Sequence, residues 1–453
     1  MRKALIPVIL ILMLLPRTYA MELHYYPDRE ALISFLNSNS SYTVVPGNTS
    51  WARGWAHYID ARLSTVKQHG SDFKVLVGNV DTNPLMKELW NATGLTPELS
   101  FEPMVVVIPG VVFITGDEDN IYLTEQAFSS LWNPSPVSTV LFVVLFILIT
   151  LLFGLPLLKT HTHAGAFYIL AVFTIALWAL TSPRMDFAPD FLKTFYHALN
   201  AWAGGEPGSP VEALLAISFK FMSPIEENLI YTQWIFLLTI SGLTFYVAPK
   251  TSRELGFLLF GLLFASPTFR EYMHSVSTIS LGVLFFLLIL AFLNNMKPQV
   301  ELKDVMIQLF LLALVTVPSV FINPYFSLIP LAFVIGFPRR PLRNTGYLAT
   351  GIIAVILAYI AYPSYVKGFL AFSGISHSEL VTLVKEGLPA IFVLGYHLIR
   401  HNGIFRRRGH TSLLTTMTLF YTAVLPFSPL MFPYSMISLF ALTLRALNVQ
   451  TET

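Results

Sequence analysis

Carboxylates gather in one long segment between apolar stretches, residues 182–228. Asp186 and Asp190 stand near its start, and Glu226 and Glu227 stand at its end. Such carboxylates can act as general bases toward a hydroxyl or amide, or can hold a divalent cation that binds a phosphate. We predict that Asp186 and Asp190 are catalytic and that a divalent cation is a candidate cofactor.

A second set of side chains has the chemistry to bind the phosphate or sugar of a substrate. The predicted substrate-binding residues are His197, Glu226, Glu227, Arg270 and His274. Arginine suits this role because its guanidinium donates several charge-assisted hydrogen bonds to phosphate. No side chain is assigned as a metal ligand.

The carboxylates and Arg270 also have simpler structural interpretations. Asp186 and Asp190 fit solvated loop acids or a helix cap equally well. Glutamates that precede an apolar span favour the helix N-terminus through their negative charge. Arg270 could extend from the span to the membrane surface, as long basic side chains do. Residues 117–119, Asp-Glu-Asp, lack the ligand spacing of a calcium loop and indicate a solvated hairpin turn.

Composition places these residues in a membrane protein. The 453 residues are 54% hydrophobic and only 12% charged, about half the charge of an ordinary soluble chain. The net charge is +2, and no basic cluster lies on a soluble segment, which argues against a nucleic-acid partner. The chain has no cysteine, which excludes disulfide frameworks, thiol catalysis and iron–sulfur clusters.

The first twenty residues have the layout of a secretory signal peptide. A basic start, Met1-Arg2-Lys3, precedes an apolar core and small residues before a cleavage position after Ala20. An uncleaved first transmembrane helix is the alternative, and both readings place residues 21–134 outside the cell. Three glycosylation sequons, which begin at Asn39, Asn48 and Asn91, fall in this segment and agree with that location.

Residues 21–134 are predicted to form an extracytoplasmic soluble α/β domain. We expect helices capped by Asp28, Thr49 and Asn83, because these residue types accept hydrogen bonds from the first helical turn. The predicted strands cover residues 42–45, 73–77, 104–108 and 111–115. Residues 75–85 resemble a strand–turn–helix motif of archaeal surface-layer and related cell-surface proteins. That resemblance implies a structural unit of the cell envelope.

Residues 135–447 are predicted to form a polytopic domain of about eleven transmembrane helices, followed by a cytoplasmic tail, 448–453. The expected spans are 137–158, 165–181, 229–248, 255–268, 276–294, 305–322, 324–338, 345–362, 387–399, 411–427 and 431–447. The long outer loop, 182–228, contains two amphipathic stretches, 191–202 and 211–221. Such helices tend to lie in the membrane interface.

The distribution of charge predicts the orientation of these spans. If residue 135 lies outside, thirteen basic residues fall on the inner side and six on the outer side. This excess agrees with the positive-inside rule and places the C-terminus in the cytoplasm. The acids assigned to the outer side are Asp186, Asp190, Glu206, Glu212, Glu226, Glu227, Glu271, Glu379 and Glu386.

Three short segments of this domain resemble GT-C glycosyltransferases, polytopic enzymes that use lipid-linked sugars outside the membrane. They are 185–190 (MDFAPD), 194–199 (TFYHAL) and 266–272 (SPTFREY). The acid pairs typical of the family are absent, and the soluble domain here comes first. The resemblance implies transfer of a sugar from a polyprenyl-phosphate carrier, with membrane lipid as a partner.

Two other functions fit the sequence. The surface-layer resemblance suggests a cell-envelope anchor, an assembly protein or a subunit of a membrane complex, with envelope proteins as partners. A transporter of an uncharged solute is the third candidate. The spans carry almost no ionisable residues, which argues against an ion-coupled transporter.

Overall fold

The computed structural model describes residues 23–128, 131, 136–181, 189–220, 226–273, 276–295, 302–336, 341–370, 378–400 and 410–449. The described chain is mostly helical and divides into two compact units. The first, the α/β unit, contains the described residues of Arg17–Phe142 and Asp186–Thr232. The second, the helical unit, contains those of Val143–Met185 and Gln233–Thr453.

The elements follow one another in an α/β order and then as a long series of helices. The strands are β1 (His24–Tyr26), β2 (Tyr42–Pro46), β3 (Phe73–Gly78), β4 (Met104–Ile108) and β5 (Val111–Thr115). The helices up to the long loop are α1 (Arg29–Asn37), α2 (Ser50–Leu63), α3 (Pro84–Leu89), α4 (Pro136–Thr160), α5 (Thr162–Thr181), α6 (Pro189–Trp202) and α7 (Pro210–Ser218). The later helices are α8 (Glu226–Val247), α9 (Leu255–Ala265), α10 (Pro267–Met273), α11 (Thr278–Asn295), α12 (Leu302–Ile322), α13 (Leu328–Gly336), α14 (Pro341–Ala361), α15 (Pro363–Leu370), α16 (Ser378–Arg400), α17 (His410–Val424) and α18 (Phe432–Val449).

The α/β unit is built on a mixed five-stranded sheet in the order β1-β4-β5-β3-β2. Only β4 and β5 pair antiparallel, because the two-residue connection between them forms a hairpin. The centre of β3, residues 75–77, is wholly buried and apolar, as expected of a strand covered on both faces. The four predicted strands are confirmed, and β1 is an addition whose short, aromatic sequence gave no signal.

The predicted helix caps of the α/β unit are confirmed. Asp28 accepts a hydrogen bond from Ala31 N at 2.9 Å, and Thr49 and Asn83 play the same part for α2 and α3. Gly78 has φ +128°, a backbone conformation that favours glycine, so β3 can turn sharply into the segment before α3. The strand–turn–helix motif at this position is thus part of the fold.

The acidic turn, Asp117-Glu118-Asp119, is not part of the predicted hairpin. It leads from β5 into a 3₁₀-helix, Ile121–Ala127, and not into another strand. Asn120 explains the change of direction. Its side chain accepts a hydrogen bond from Asp117 N at 2.7 Å and donates one to Phe101 O at 2.9 Å.

The first amphipathic helix of the long loop, α6, packs on the α/β unit. Its apolar residues Phe195 and Leu199 are fully buried, and α6 crosses α2 closely at Gly54. A Cβ on Gly54 would lie 2.7 Å from Leu199 O, so only glycine permits this approach. The sequence predicted that this helix lies in the membrane interface, whereas its apolar face packs against α2. An amphipathic pattern indicates that one face of a helix is covered, but it does not identify what covers it.

Five helices of the described chain are long and apolar enough to cross a membrane: Thr139–Thr160, Thr162–Leu180, Thr278–Asn295, Lys303–Ile322 and Asn344–Ala361. Each of the eleven predicted windows overlaps a helix, although the window 255–268 is divided between α9 and α10, and the count of about eleven spans is not confirmed. Several of the other helices are short. The eleven residues of α9 extend about 16 Å, roughly half of a bilayer core.

Apolar side chains on the long helices remain exposed within the chain. Leu152 on α4, Phe310 on α12 and Ile360 on α14 are 67%, 67% and 70% exposed. Large exposed apolar faces of this kind are unfavourable in water and mark contact with lipid. The structure therefore agrees with a membrane protein.

Candidate functional site

A break between two apolar helices of the helical unit creates the first polar site. Helix α9 ends at Ser266, and Pro267 begins α10. Ser266 caps α10, because its Oγ accepts a hydrogen bond from Phe269 N at 3.0 Å. Proline at the first helical position is tolerated there, since the first-turn N–H groups have no partner within the helix.

Glu386, on α16, reaches this break and completes what we call the carboxylate junction, formed by Ser266, Thr268 and Glu386. The Ser266 hydroxyl donates a short hydrogen bond to Glu386 Oε2, and the Thr268 hydroxyl donates to Oε1 at 2.7 Å. The carboxylate is half-buried and lies at the start of α10, where the helix dipole stabilises negative charge. An ionised carboxylate can accept about four hydrogen bonds, so it can still accept a proton or a ligand.

Arg270 stands one helical turn beyond Ser266 on the same short helix. Its backbone N–H donates to Ser266 O at 3.1 Å, and the side chain is half-buried. The buried Gln233 secures the other end of α10 through a short hydrogen bond from Nε2 to Met273 O. The helix therefore presents a carboxylate at its start and a predicted phosphate-binding arginine within its second turn.

A second polar site, which we call the guanidinium junction, is formed by Arg253, Asn294, Asn295 and Arg445. Arg253 is 5% exposed and donates to the carbonyl oxygens of Phe245, Tyr246 and Ala248 at 2.9, 2.7 and 3.1 Å. These carbonyls belong to the C-terminal end of α8, whose dipole favours a cation.

The two asparagines complete this network. The Asn294 amide donates to the carbonyls of Tyr246, Val247 and Ala248, and its Oδ1 accepts a short hydrogen bond from Arg445. Asn295 Oδ1 accepts from Arg253. A pocket beside Asn294 and Arg445 has room for about one water molecule, which is too little for a sugar or phosphate.

His197 is the predicted substrate-binding residue of the α/β unit whose side chain the structure describes. It is half-buried on α6, and its ring centroid lies 5.5 Å from that of Tyr196. Tyr196 in turn packs edge-on against Trp55 of α2 at 5.9 Å. Contacts between aromatic rings therefore hold the helix that carries His197 against α2.

The hydroxyl of Tyr196 is buried without a hydrogen-bond partner among the described residues. Burial raises the pKa of this phenol, and the charges of Glu118, Asp119 and Asp117 raise the pKa further. The acidic turn is therefore close enough to act on Tyr196 electrostatically. No group of three or more acids and histidines placed to hold a metal ion occurs in the described part of the chain.

The remaining predicted site residues lie partly or wholly outside the description. Asp186 and His274 are outside the described residues. The backbone of Asp190 lies in the first turn of α6, and Glu226 and Glu227 begin α8, while their side chains are outside the description. The structure places Arg270 on the short helix whose first residues hold Glu386, a residue to which the sequence gave no role beyond its predicted side.

Glu386 lies 120 residues from Ser266, and no local pattern links the two positions. The Ser266-Pro267 pair was a signal for a break inside the predicted span 255–268, but it could not identify the acid that meets it. Comparisons with models of protein families, with curated proteins and with solved structures found no match.

Proposed function

We propose that this protein is an integral membrane glycosyltransferase that uses a polyprenyl-phosphate-linked sugar at the outer face of the membrane. The observation that carries the proposal is Glu386, held by Ser266 and Thr268 at the start of the helix that bears Arg270. Transfer from a lipid phosphate requires a base for the acceptor and a cation for the donor phosphate. The carboxylate and the guanidinium supply these two groups.

The proposed reaction uses each group at a defined atom. A carboxylate oxygen of Glu386 accepts the proton of the acceptor hydroxyl or amide. The acceptor atom bonds to the sugar carbon, and the bond from that carbon to the phosphate oxygen breaks. The guanidinium of Arg270 stabilises the negative charge of the departing polyprenyl phosphate. Asp186 and Asp190 remain the predicted catalytic acids of the outer loop, with His197, Glu226, Glu227 and His274 as predicted substrate contacts.

Contacts within the helical unit support the proposed location. Ser266 and Glu386, which meet, both belong to segments that the charge distribution assigns to the outside. Arg253 meets Asn295, and Arg445 meets Asn294, at helix ends assigned to the inside. A multi-pass protein with its α/β unit outside and its C-terminus in the cytoplasm would have this arrangement.

The proposal is tested by comparing the envelope glycans and lipid-linked saccharides of strains that express the parent chain, no chain or Glu386→Gln. We expect the deletion to abolish one sugar addition, with the unmodified acceptor accumulating. We expect Glu386→Gln to reduce transfer by about 100-fold or more, because loss of a general base costs at least that much.

Glu212→Gln is the matched control. Glu212 also accepts a hydrogen bond at a helix start, from Gly208 N at 2.7 Å, but it lies in the first turn of α7 in the α/β unit. It should leave the glycans unchanged at equal abundance of the protein in the membrane. Unchanged glycans in the deletion strain would overturn the transferase proposal.

A second candidate function is an anchor or assembly factor of the cell envelope. The observation that favours it is that the polar side chains after β3 form hydrogen bonds within the domain. Asn79 donates to Gly116 O at 3.4 Å, and Asn83 donates to Val45 O at 2.9 Å. Ligand sites of α/β sheets usually form at such carboxyl ends, and here these amides already hold the chain together. Envelope proteins would then be the partners.

A further inference from the structure

Three asparagines of the α/β unit have exposed side chains that take no part in hydrogen bonding among the described residues. Asn39, Asn48 and Asn91 are all exposed. In the part of the chain that the structure describes, none of their side-chain amides makes a hydrogen bond. Each is followed two positions later by serine or threonine, and no such sequon occurs in the helical unit.

Other asparagines of the same unit behave differently. Asn79 and Asn83 are 1% and 0% exposed, and their amides donate to backbone carbonyls. Asn120 donates to Phe101 O and accepts from Asp117 N. The asparagines that build the fold therefore lack the sequon, whereas those that carry it leave their amide nitrogens available.

Asn39 is exposed between two residues that make an internal contact. The hydroxyl and carbonyl oxygens of its neighbours Ser38 and Ser40 surround Lys67 Nζ at 2.8–3.2 Å and share its three N–H donors. Lys67 is only 8% exposed, so the contact is internal. The Asn39 side chain, between the two serines, is exposed and takes no part in this contact.

The hydroxyl of the third sequon has a role in the fold. Thr93 is 4% exposed, and its Oγ1 donates to Trp90 O at 2.7 Å and accepts from Leu95 N at 3.1 Å. Removal of this hydroxyl would disturb the turn as well as the sequon. A test must therefore change the asparagine and not the threonine.

We propose that Asn39, Asn48 and Asn91 carry asparagine-linked oligosaccharides. The co-reactant is a polyprenyl-phosphate-linked oligosaccharide, and another enzyme of the host transfers it. The asparagine amide nitrogen bonds to the first sugar carbon and loses one proton. The bond between that carbon and the phosphate oxygen breaks, and the lipid phosphate leaves with the electron pair. The inference stands apart from the proposed transferase activity, because here the chain is the acceptor.

The test uses the full-length chain purified from the membranes of its own host and digested to peptides. Mass spectrometry of the peptides that contain Asn39, Asn48 and Asn91 should show a sugar mass on each asparagine. The triple variant Asn39→Gln, Asn48→Gln, Asn91→Gln should migrate faster in denaturing electrophoresis. Asn37→Gln is the matched control, because Asn37 is exposed but is followed two positions later by Asn39, not by serine or threonine. It should migrate as the parent chain does.

Two results would overturn the inference. One is the unmodified mass at all three asparagines, whether or not other envelope proteins of the host carry sugar. The other is a triple variant that migrates as the parent chain does. Sugar on the three asparagines together with unchanged host glycans in the deletion strain would count against the proposed function alone, so the two proposals fail separately.

Discussion

The two polar junctions of the helical unit place opposite charges at opposite ends of helices. The carboxylate junction sets Glu386 at the start of α10, and the guanidinium junction sets Arg253 at the end of α8. Both charges are favourable to the helix dipole beside them. Their hydrogen bonding differs. Arg253 donates to three carbonyls and an asparagine, whereas Glu386 accepts from two hydroxyls.

This difference separates a structural charge from an available one. Arg253 is 5% exposed and directs Nη1 to backbone carbonyls and Nη2 to Asn295, so a ligand has little access to it. A carboxylate with two hydroxyl partners retains about two acceptor positions. Substitutions at the guanidinium junction should therefore reduce stability most, and those at the carboxylate junction should reduce activity more than stability.

Arg253→Ala has the largest expected effect on stability. It removes the cation from the buried carbonyls of Phe245, Tyr246 and Ala248, and the free energy of unfolding should fall by about 3 kcal/mol or more. Thermal unfolding of the detergent-solubilised protein measures the change. Arg253→Lys keeps the charge but loses the planar fork, so it should fall between the parent and the alanine variant. An unfolding midpoint equal to that of the parent would show that the guanidinium junction does not contribute to the stability of the protein.

Asn294→Leu should follow, with a loss of about 2 kcal/mol. The leucine conserves much of the volume but leaves the carbonyls of Tyr246, Val247 and Ala248 without the asparagine amide, and it removes the acceptor for Arg445. The same unfolding experiment applies. Because Arg253 and Asn294 share carbonyls, the double variant should lose less than the sum of the two single losses. Strictly additive losses would indicate two independent sites.

Sequence reasoning predicted local features of the α/β unit well. The caps at Asp28, Thr49 and Asn83 follow from short-range chemistry, and all three are observed. The surfaces against which the helices pack were harder to predict. The apolar face of α6 was visible in the sequence, but its partner, the Gly54 surface of α2, lies more than a hundred residues away.

The polar junctions show the same limit in the helical unit. The predicted span 255–268 ran through the break at Ser266, and Arg270 was selected because its guanidinium suits a phosphate. Glu386 could not be recognised, since Ser266 lies 120 residues away. Arg253 meets carbonyls only five to eight residues before it, but Asn295, which completes its contacts, lies 42 residues away. Charge distribution gave each only a predicted side of the membrane. Helix packing decides which charged side chains come into contact, and the hydropathy of the sequence does not specify how the helices pack.

Glu386→Gln tests the carboxylate junction directly. Its unfolding free energy should fall by only about 1.5 kcal/mol, because an amide keeps the shape and one acceptor oxygen but loses the charge-assisted hydrogen bonds. The same variant should lose transferase activity. A destabilisation as large as that of Arg253→Ala would remove the distinction between the two junctions and make Glu386 a structural residue.

The two variants with the smallest expected losses of stability distinguish the capping of α10 from the hydrogen bonds that orient Glu386. Ser266→Ala removes both the cap on Phe269 N and a hydrogen bond to the carboxylate, so it should cost about 1 kcal/mol. Thr268→Val conserves volume and removes only the hydrogen bond to Oε1, so it should cost about 0.5 kcal/mol. Paired unfolding curves and glycan profiles measure both quantities. If Thr268→Val lowers transfer while stability stays near that of the parent, orientation of Glu386 is the function of the threonine. If the two variants lose equal stability and neither alters the glycans, the hydroxyls serve the helix break alone.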